Sequence, residues 1–205
     1  MPFTSVELQS YKMNEQEIVK NHATSLLPAD GEWELVWNDE FDGTALDESK
    51  WNYRLNFWGY RSPAFTTEGV ELDGNSHMRI HLIRKGDQFC SAHLQTGGLT
   101  FDNPRDGTSK KFWPFGAKDP AKFMHKYGYY EIRCRLPKHR GWHAAFWLQS
   151  PCIGAHPDPA QAGVECDIME NYRQHTEGQI VCGNGWGGYG RDSHWYGHFR
   201  FPYEE

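Results

Sequence analysis

The segment Gly163–Tyr172 reads GVECDIMENY and sets three carboxylates, Glu165, Asp167 and Glu170, inside an otherwise apolar run. Alternate side chains of an extended strand share a face, so Glu165 and Asp167 point to one side and the apolar residues around them to the other. Glu170 is out of phase, because it follows Glu165 by five residues. One extra residue bulging out within Ile168–Met169 would return Glu170 to the acidic face. The segment therefore predicts a half-buried strand with a bulge and with three acids on its open face.

Three like charges on one strand face repel one another, and such crowding raises the pKa of at least one carboxyl group. A strand that serves packing alone gains nothing from this repulsion. The alternative is a solvated strand face whose acids pair with arginines elsewhere in the chain. This segment by itself leaves both interpretations open.

The length and charge of the chain limit the classes of partner. The 205 residues suit one domain with one core. The net charge of −6, the pI near 6.0 and the lack of a long basic run disfavour nucleic acid and anionic membranes as partners. No apolar run reaches the length of a membrane span, and the start of the chain lacks the pattern of a signal peptide. We therefore expect neither a nucleic-acid nor a membrane partner.

Cysteine and aromatic content give two further expectations. The five cysteines are odd in number and have no close pairs, which predicts buried thiols and disfavours disulfides or a paired-cysteine metal site. Aromatic residues make up 15% of the chain, beside 21 glycines. This composition is typical of sugar-binding clefts, where flat rings stack on sugar faces, and also of ordinary β cores.

The pattern changes near residue 30. Residues 1–30 lack alternation and are predicted to be an N-terminal extension, with a short helix within 14–27. Strand patterns dominate from Gly31 onward. WELVW (33–37) would place Trp33, Leu35 and Trp37 on one face, and HMRIHLI (77–83) would place Met78, Ile80 and Leu82 opposite His77, Arg79 and His81.

Two later segments complete the predicted fold. YGYYEIRCRLP (127–137) alternates, and PKHRG then turns into GWHAAFWLQS (141–150), which predicts a hairpin at the centre of a sandwich. A loop leads from the second strand to the acidic strand, so these two are expected to be neighbours in one antiparallel sheet. Without repeats or βαβ alternation, the sequence predicts a single antiparallel sandwich or jelly roll.

The order of four segments resembles glycoside hydrolase family 16, the group of laminarinases, lichenases, agarases and carrageenases. The segments are WELVWNDEFDGTALDESKW, KYGYYEIRCRLPKHRGWHAAFWLQS, GVECDIMENY and GWGGYGRDSH. The resemblance implies an all-β fold, a concanavalin-like β-jelly roll sandwich of two antiparallel sheets, with the catalytic domain over 31–205. Members usually continue with further strands where this chain ends, so the resemblance predicts a domain incomplete at the C-terminus.

The resemblance also implies roles for the three acids in retaining hydrolysis of a polysaccharide. Glu165 matches the family nucleophile, Glu170 the acid/base, and Asp167 the carboxylate between them. The bulged spelling E-x-D-x-x-E resembles laminarinases and marine-galactan enzymes more than lichenases. No cofactor is implied and no metal site is predicted. Relatives are mostly secreted, although no signal peptide is visible here.

Aromatic residues are the candidates for sugar contacts. Trp142 and Trp147 match aromatic positions of the family strand, but they are out of phase, so a regular strand turns only one of them toward the cleft. Gly185 stands where many relatives carry a histidine. Further candidates are Trp58 and Trp186 and, more weakly, Tyr60, Trp113 and Trp195.

On these grounds we expect the substrate to be a β-1,3-glucan such as laminarin, since the bulged motif resembles laminarinases and the negative net charge disfavours sulfated galactans. Three alternatives stay open. One is a marine-galactan hydrolase that uses Arg54 and Arg61 as an anion-binding patch. Another is a non-catalytic, lectin-like glucan-binding protein. The third is a zinc site built on the histidine pairs His77 and His81 or His194 and His198.

Overall fold

The computed structural model describes residues 12–57, 60–98, 121–138, 141–153, 158–172, 179–187 and 194–202. The secondary structure within these ranges consists of β-strands and one 3₁₀ turn at Pro159–Gln161, and every pair of named strands is antiparallel. The predicted all-β class with antiparallel sheets is therefore confirmed, and the arrangement is consistent with a jelly-roll sandwich. Among the residues described, no helix is long and apolar enough to cross a membrane.

The first half of the chain forms two-stranded ribbons whose strands are two to four residues long. Four ribbons join neighbouring strands, whereas the fifth pairs β3 with β10 across about forty residues of sequence. The ten strands are β1 (Met13–Gln16), β2 (Ser25–Pro28), β3 (Asn52–Tyr53), β4 (Asn56–Phe57), β5 (Tyr60–Arg61), β6 (Val70–Leu72), β7 (Met78–Ile80), β8 (Ile83–Lys85), β9 (Gln88–Cys90) and β10 (Leu94–Gln95). Next to the β3–β10 ribbon, the Arg54 N–H donates a hydrogen bond of 2.7 Å to the carbonyl of His93.

The second half forms one four-stranded sheet from longer strands. These are β11 (His143–Gln149), β12 (Val164–Tyr172), β13 (Gln179–Trp186) and β14 (His194–Pro202), paired in that order. The acidic strand predicted from the sequence is β12, and its predicted neighbour is β11. Their antiparallel pairing confirms that expectation.

A bulge interrupts the ladder between β11 and β12. Phe146 lies opposite Met169 and Trp147 lies opposite Asp167, so Ile168 has no partner on β11. The thiol of Cys182 on β13 donates a hydrogen bond of 2.9 Å to the carbonyl of Ile168. The predicted bulge is confirmed, at the predicted place.

The start of the acidic strand is set by a close backbone approach. Gly163 adopts φ 79, and a Cβ atom there would lie 2.8 Å from the backbone of the buried Ile153. Only glycine fits this conformation and this space. Beside it, Val164 donates its N–H to Ser150 Oγ at 3.0 Å and accepts the Ser150 N–H at 2.8 Å. These contacts fix where β12 begins and hence which of its residues face each side.

The helix predicted within 14–27 is wrong, because this stretch forms the β1–β2 ribbon. Asn21 lies in the connecting turn with φ 68, and its N–H bonds to Glu17 Oε1 at 2.8 Å. A left-handed residue of this kind ends a helical run, and the chain reverses instead. The boundary at residue 30 stays a prediction.

Two predicted strands, 33–37 and 127–137, are not strands in the structure. Their alternation is real, but a strand also needs a partner backbone, and the described residues form no ladder with either segment. The two segments meet through side chains instead, with the Trp33 and Tyr129 rings 5.7 Å apart. Trp33 and Leu35 are exposed, so the buried face expected for 33–37 is also wrong.

Loss of the 127–137 strand removes the predicted central hairpin and leaves β11 at the edge of the described sheet. The predicted 77–83 strand is interrupted after β7, because His81 and Leu82 lie outside the strands and Ile83 begins β8; both Ile80 and Leu82 are exposed. The cysteines are all reduced, but only Cys90 is buried. Met169 in β12 and Val181 in β13 are buried apolar residues of the sheet. The buried apolar side chains of the described residues are those of Leu27, Cys90, Ala92, Ile153, Ala162, Met169 and Val181.

Candidate active site

The bulge brings the three acids of β12 onto one side of the sheet, which we term the acid face. Each acid lies opposite a residue of β11 with the same alternation: Gln149 faces Glu165, Trp147 faces Asp167, and Ala145 faces Glu170. Because residues 145, 147 and 149 are two apart in a regular strand, they share one face. The acids opposite them therefore share that face as well.

Asp167 is the buried centre of the acid face, with 7% of its surface exposed. Burial, and then the charges of Glu170 and Glu165, raise the pKa of Asp167 to about 7, against a smaller opposing effect of His143. The crowding expected from the sequence is thus confirmed for the middle acid. Below neutral pH the Asp167 carboxyl keeps its proton, so the acid face carries less negative charge than its composition suggests.

Both glutamates are hydrogen-bonded to side chains of β11. Gln149 Nε2 donates to Glu165 Oε2 at 2.9 Å. His143 Nε2 lies 2.8 Å from Glu170 Oε1. The sequence reasoning did not select His143 or Gln149, although their alternation with Trp147 places them on the acid face.

Strand β13, the neighbour of β12 on the side away from β11, has glycines opposite two of the three acids. Gly185 lies opposite Glu165 and Gly183 lies opposite Asp167, and both glycines are buried. Glycine in a strand lets neighbouring groups approach the backbone closely, since no side chain stands there. The histidine that the resemblance suggested near Gly185 is therefore replaced by bare backbone beside Glu165.

Among the side chains that the structure describes, Trp147 is an aromatic residue on the acid face. The guanidinium carbon of Arg54 lies 5.3 Å from the centroid of the Trp147 ring, and the His93 ring lies 5.9 Å away at 42°. Arg54 is 2% exposed. The expectation that Arg54 forms a surface anion patch is therefore wrong, because its side chain is buried against Trp147. The Arg61 side chain is outside the described residues.

His93 is a half-buried imidazole that is neutral at pH 7. Burial, and then the positive charges of Arg54 and His143, lower the pKa of His93 to about 4. Its ring also contacts Phe65 edge-on at 5.0 Å. Sequence reasoning missed His93 entirely, since its place depends on the long-range β3–β10 pairing.

The described residues do not place the other aromatic candidates on the acid face. Trp142 immediately precedes β11 and is out of phase with Trp147, as the sequence indicated. Trp186 lies opposite Val164, a residue out of phase with the acids, so the structure does not bring Trp186 to the acid face. Trp58 and Trp113 lie outside the described residues, as do the side chains of Tyr60 and Trp195.

Two of the four histidines considered for zinc, His77 and His81, have carboxylate partners. His77 Nδ1 lies 3.1 Å from Asp73 Oδ2, and His81 Nε2 lies 2.8 Å from Glu71 Oε2. Within the described ranges, no group of three histidine, cysteine or acidic side chains is placed to hold a metal ion. The side chains of His194 and His198 are outside those ranges.

Comparison with known proteins gives three curated relatives. The chain is 30% identical over 157 residues to a glucan endo-1,3-beta-glucosidase A1 of Niallia circulans, covering 70% of this chain and 20% of that protein. It is 32% identical over 152 residues to a beta-glucanase of Rhodothermus marinus, covering 68% and 44%. It is 30% identical over 161 residues to a glucan endo-1,3-beta-glucosidase of Cryptopygus antarcticus, covering 75% and 51%.

No protein-family model matches the chain, and no solved structure matches it. The chain spans between a fifth and about half of the length of these three relatives. Over some seven-tenths of its own length, the chain is therefore similar to proteins that carry glucan endo-1,3-beta-glucosidase and beta-glucanase names.

Proposed function

We propose that the chain carries the catalytic site of a retaining endo-glycosidase that hydrolyses a β-linked polysaccharide, foremost a β-1,3-glucan, as a glycoside hydrolase of family 16. The observation that carries this proposal is the bulge at Ile168, which brings Glu165, Asp167 and Glu170 onto one face. The catalytic domain would begin near residue 31. The names of the relatives support both the reaction class and the β-1,3-glucan substrate.

The chemistry of the proposal divides the work between the two glutamates. A carboxylate oxygen of Glu165 attacks the anomeric carbon, while Glu170 donates its proton to the glycosidic oxygen as the bond to that carbon breaks. Glu170 then takes a proton from water, whose oxygen attacks the anomeric carbon and releases Glu165. No other group has to supply electrons or protons.

Asp167 fits a supporting role between the two glutamates. Its raised pKa keeps a proton on the carboxyl group below about pH 7. A protonated carboxyl group donates a hydrogen bond, which an ionised one does not. Asp167 would thus donate to a neighbouring carboxylate and reduce the repulsion between the acids, while Glu165 stays ionised for attack.

The aromatic and cationic residues favour a neutral substrate. Trp147 supplies the ring on the acid face, the type of group that stacks on sugar rings. Beside that ring, among the side chains that the structure describes, Arg54 is buried and so does not present an exposed cation to a sulfate group. This arrangement supports a β-glucan over a sulfated galactan.

The test is release of reducing ends from laminarin, mixed-linkage glucan, agarose, porphyran and carrageenan, with the wild-type chain beside its Glu165→Gln and Glu170→Gln variants. We expect release from laminarin and a loss of at least about 1,000-fold in both variants, each with an unchanged melting temperature. Proton NMR of the first product should show the β-anomer, as retention requires. Binding to laminarin without release would favour the lectin-like alternative, and release from a galactan alone would favour the galactanase.

A further inference from the structure

The contact between His143 and Glu170 has a geometry that suits a catalytic acid. His143 is the first residue of β11, two positions before Ala145, the residue opposite Glu170. Its Nε2 atom lies 2.8 Å from the carboxyl oxygen Oε1 of Glu170. The Glu170 side chain is 13% exposed, whereas the His143 side chain is 52% exposed. The mostly buried carboxyl group is thus in contact with a partly exposed imidazole.

A general acid has to present its proton in a fixed direction. An imidazole that carries its proton on Nε2 donates to Oε1 and so restrains the orientation of the carboxyl group, including the direction of the proton that Oε2 would give to the leaving oxygen. Loss of that bond removes a restraint on rotation about the terminal torsion of the carboxyl group, which has broad preferences. A misplacement of about 1 Å in a reacting group costs up to about 100-fold in rate.

We propose that His143 is a positioning residue that orients Glu170 for proton donation to the leaving group, an assignment that rests on the proposed function. The assignment separates His143 from Gln149, which bonds to the proposed nucleophile Glu165. His143 therefore matters for leaving-group departure, whereas Gln149 matters for attack.

Leaving-group dependence distinguishes orientation of the acid from general support of the fold. Hydrolysis of laminarin needs a proton on the departing sugar oxygen, but a 2,4-dinitrophenyl β-laminaribioside releases a stabilised phenolate that needs none. For His143→Ala we expect kcat on laminarin to fall about 10- to 100-fold with KM nearly unchanged. We expect the rate of formation of the glycosyl-enzyme from the dinitrophenyl substrate to stay within about twofold of wild type.

His143→Gln provides the rescue, because an amide nitrogen at the end of this side chain takes the place of Nε2 as donor. It should restore most of the activity on laminarin. The matched control is His81→Ala, since His81 Nε2 lies at the same 2.8 Å from a carboxylate oxygen, with 46% exposure, away from the acid face. We expect His81→Ala to leave both substrates unaffected.

The outcomes separate this assignment from the proposed function. An active wild-type chain whose His143→Ala variant loses equally on both substrates, or loses nothing on laminarin, would overturn the assignment and leave the hydrolase proposal standing. Failure of His143→Gln to exceed His143→Ala on laminarin would overturn it too. A wild-type chain inactive on every polysaccharide and on the dinitrophenyl glycoside would overturn the proposed function and the assignment together.

Discussion

The two halves of the described chain differ in how firmly their strands fix side-chain positions. The first half uses strands of two to four residues in separate ribbons, whereas the second uses strands of seven to nine residues in one sheet. A long ladder specifies register at many positions, and a slip of one residue turns every side chain to the other face. The acids lie on the long strand β12. Arg54 and His93, which contact Trp147, lie beside the short β3–β10 ribbon. Changes in the sheet register should therefore have larger effects on activity than changes in the ribbon side chains.

Two single-residue deletions in β12 test whether the register of the sheet controls activity. Deleting Cys166 puts Glu165 next to Asp167 and so turns these two acids to opposite faces, and we expect activity on laminarin to fall by at least about 1,000-fold. Deleting Ile168 removes the residue without a partner on β11 and leaves all three acids in phase, so the loss should stay below about tenfold. Reducing-end assays on both variants, with melting temperatures as the check on folding, test this. Equal activity in the two variants would contradict the register argument.

We expect a smaller loss of activity when a single hydrogen bond within the sheet is removed. Gln149→Leu removes the donor to Glu165 Oε2, and we expect kcat to fall about 10- to 100-fold on laminarin and on the dinitrophenyl substrate alike, since attack is impaired in both. The matched control is Gln161→Leu, because Gln161 Nε2 bonds to Asp158 Oδ2 at a similar 2.8 Å in the 3₁₀ turn. A loss confined to laminarin would show that Gln149 does not act through the nucleophile.

These sheet contacts show what sequence patterns can specify. Alternation in β12, with the odd spacing of Glu170, predicts the acid face and the bulge, and the loop that leads from β11 to β12 predicts their pairing. The same alternation in β11 also marks His143 and Gln149, because a strand turns every second residue to one side. The positions of Arg54 and His93 beside Trp147 could not be predicted, because nothing in the local sequence indicates that β3 pairs with β10. Alternation likewise failed at 127–137, where a pleated pattern has no partner ladder among the described residues.

The variant Asp167→Asn tests how the carboxyl group at the centre of the acid face changes the stability of the fold with pH. The folded-state pKa of Asp167, about 7, exceeds the ordinary aspartate value of 3.8, so the folded chain binds more protons between these values and the Asp167 contribution to stability falls as pH rises. The variant cannot ionise, so at pH 8 its melting temperature should exceed that of wild type by at least about 2 to 4 °C, and at pH 4 the difference should vanish. Activity should fall only about tenfold. Thermal melts from pH 4 to 8 measure this, and a constant difference across that range would contradict it.

His93→Gln is the corresponding change in the ribbon half and has the opposite sign. The pKa of His93 is lowered from 6.5 to about 4, so the unfolded chain binds more protons between these values and the His93 contribution is lost as pH falls. In wild type this trend and that of Asp167 offset each other between about pH 4 and 6.5. Removing His93 should leave the Asp167 trend alone, so the stability of the variant should decline with rising pH in that window relative to wild type. Parallel melting profiles for His93→Gln and wild type would refute the offset.

The hydrogen bond between Cys182 and the carbonyl of Ile168 ties the shape of the bulge to the state of a sulfur atom. A thiol donates its proton, whereas a thiolate or an oxidised sulfur has no proton to donate to that oxygen. Burial, and then the neighbouring Cys166, Asp167 and Glu170, raise the pKa of the Cys182 thiol. The thiolate is the form that reacts with oxidants and alkylating reagents, so the acids of β12 suppress the reactivity of Cys182. The charges proposed to perform hydrolysis thus also protect the donor that helps to hold them on one face.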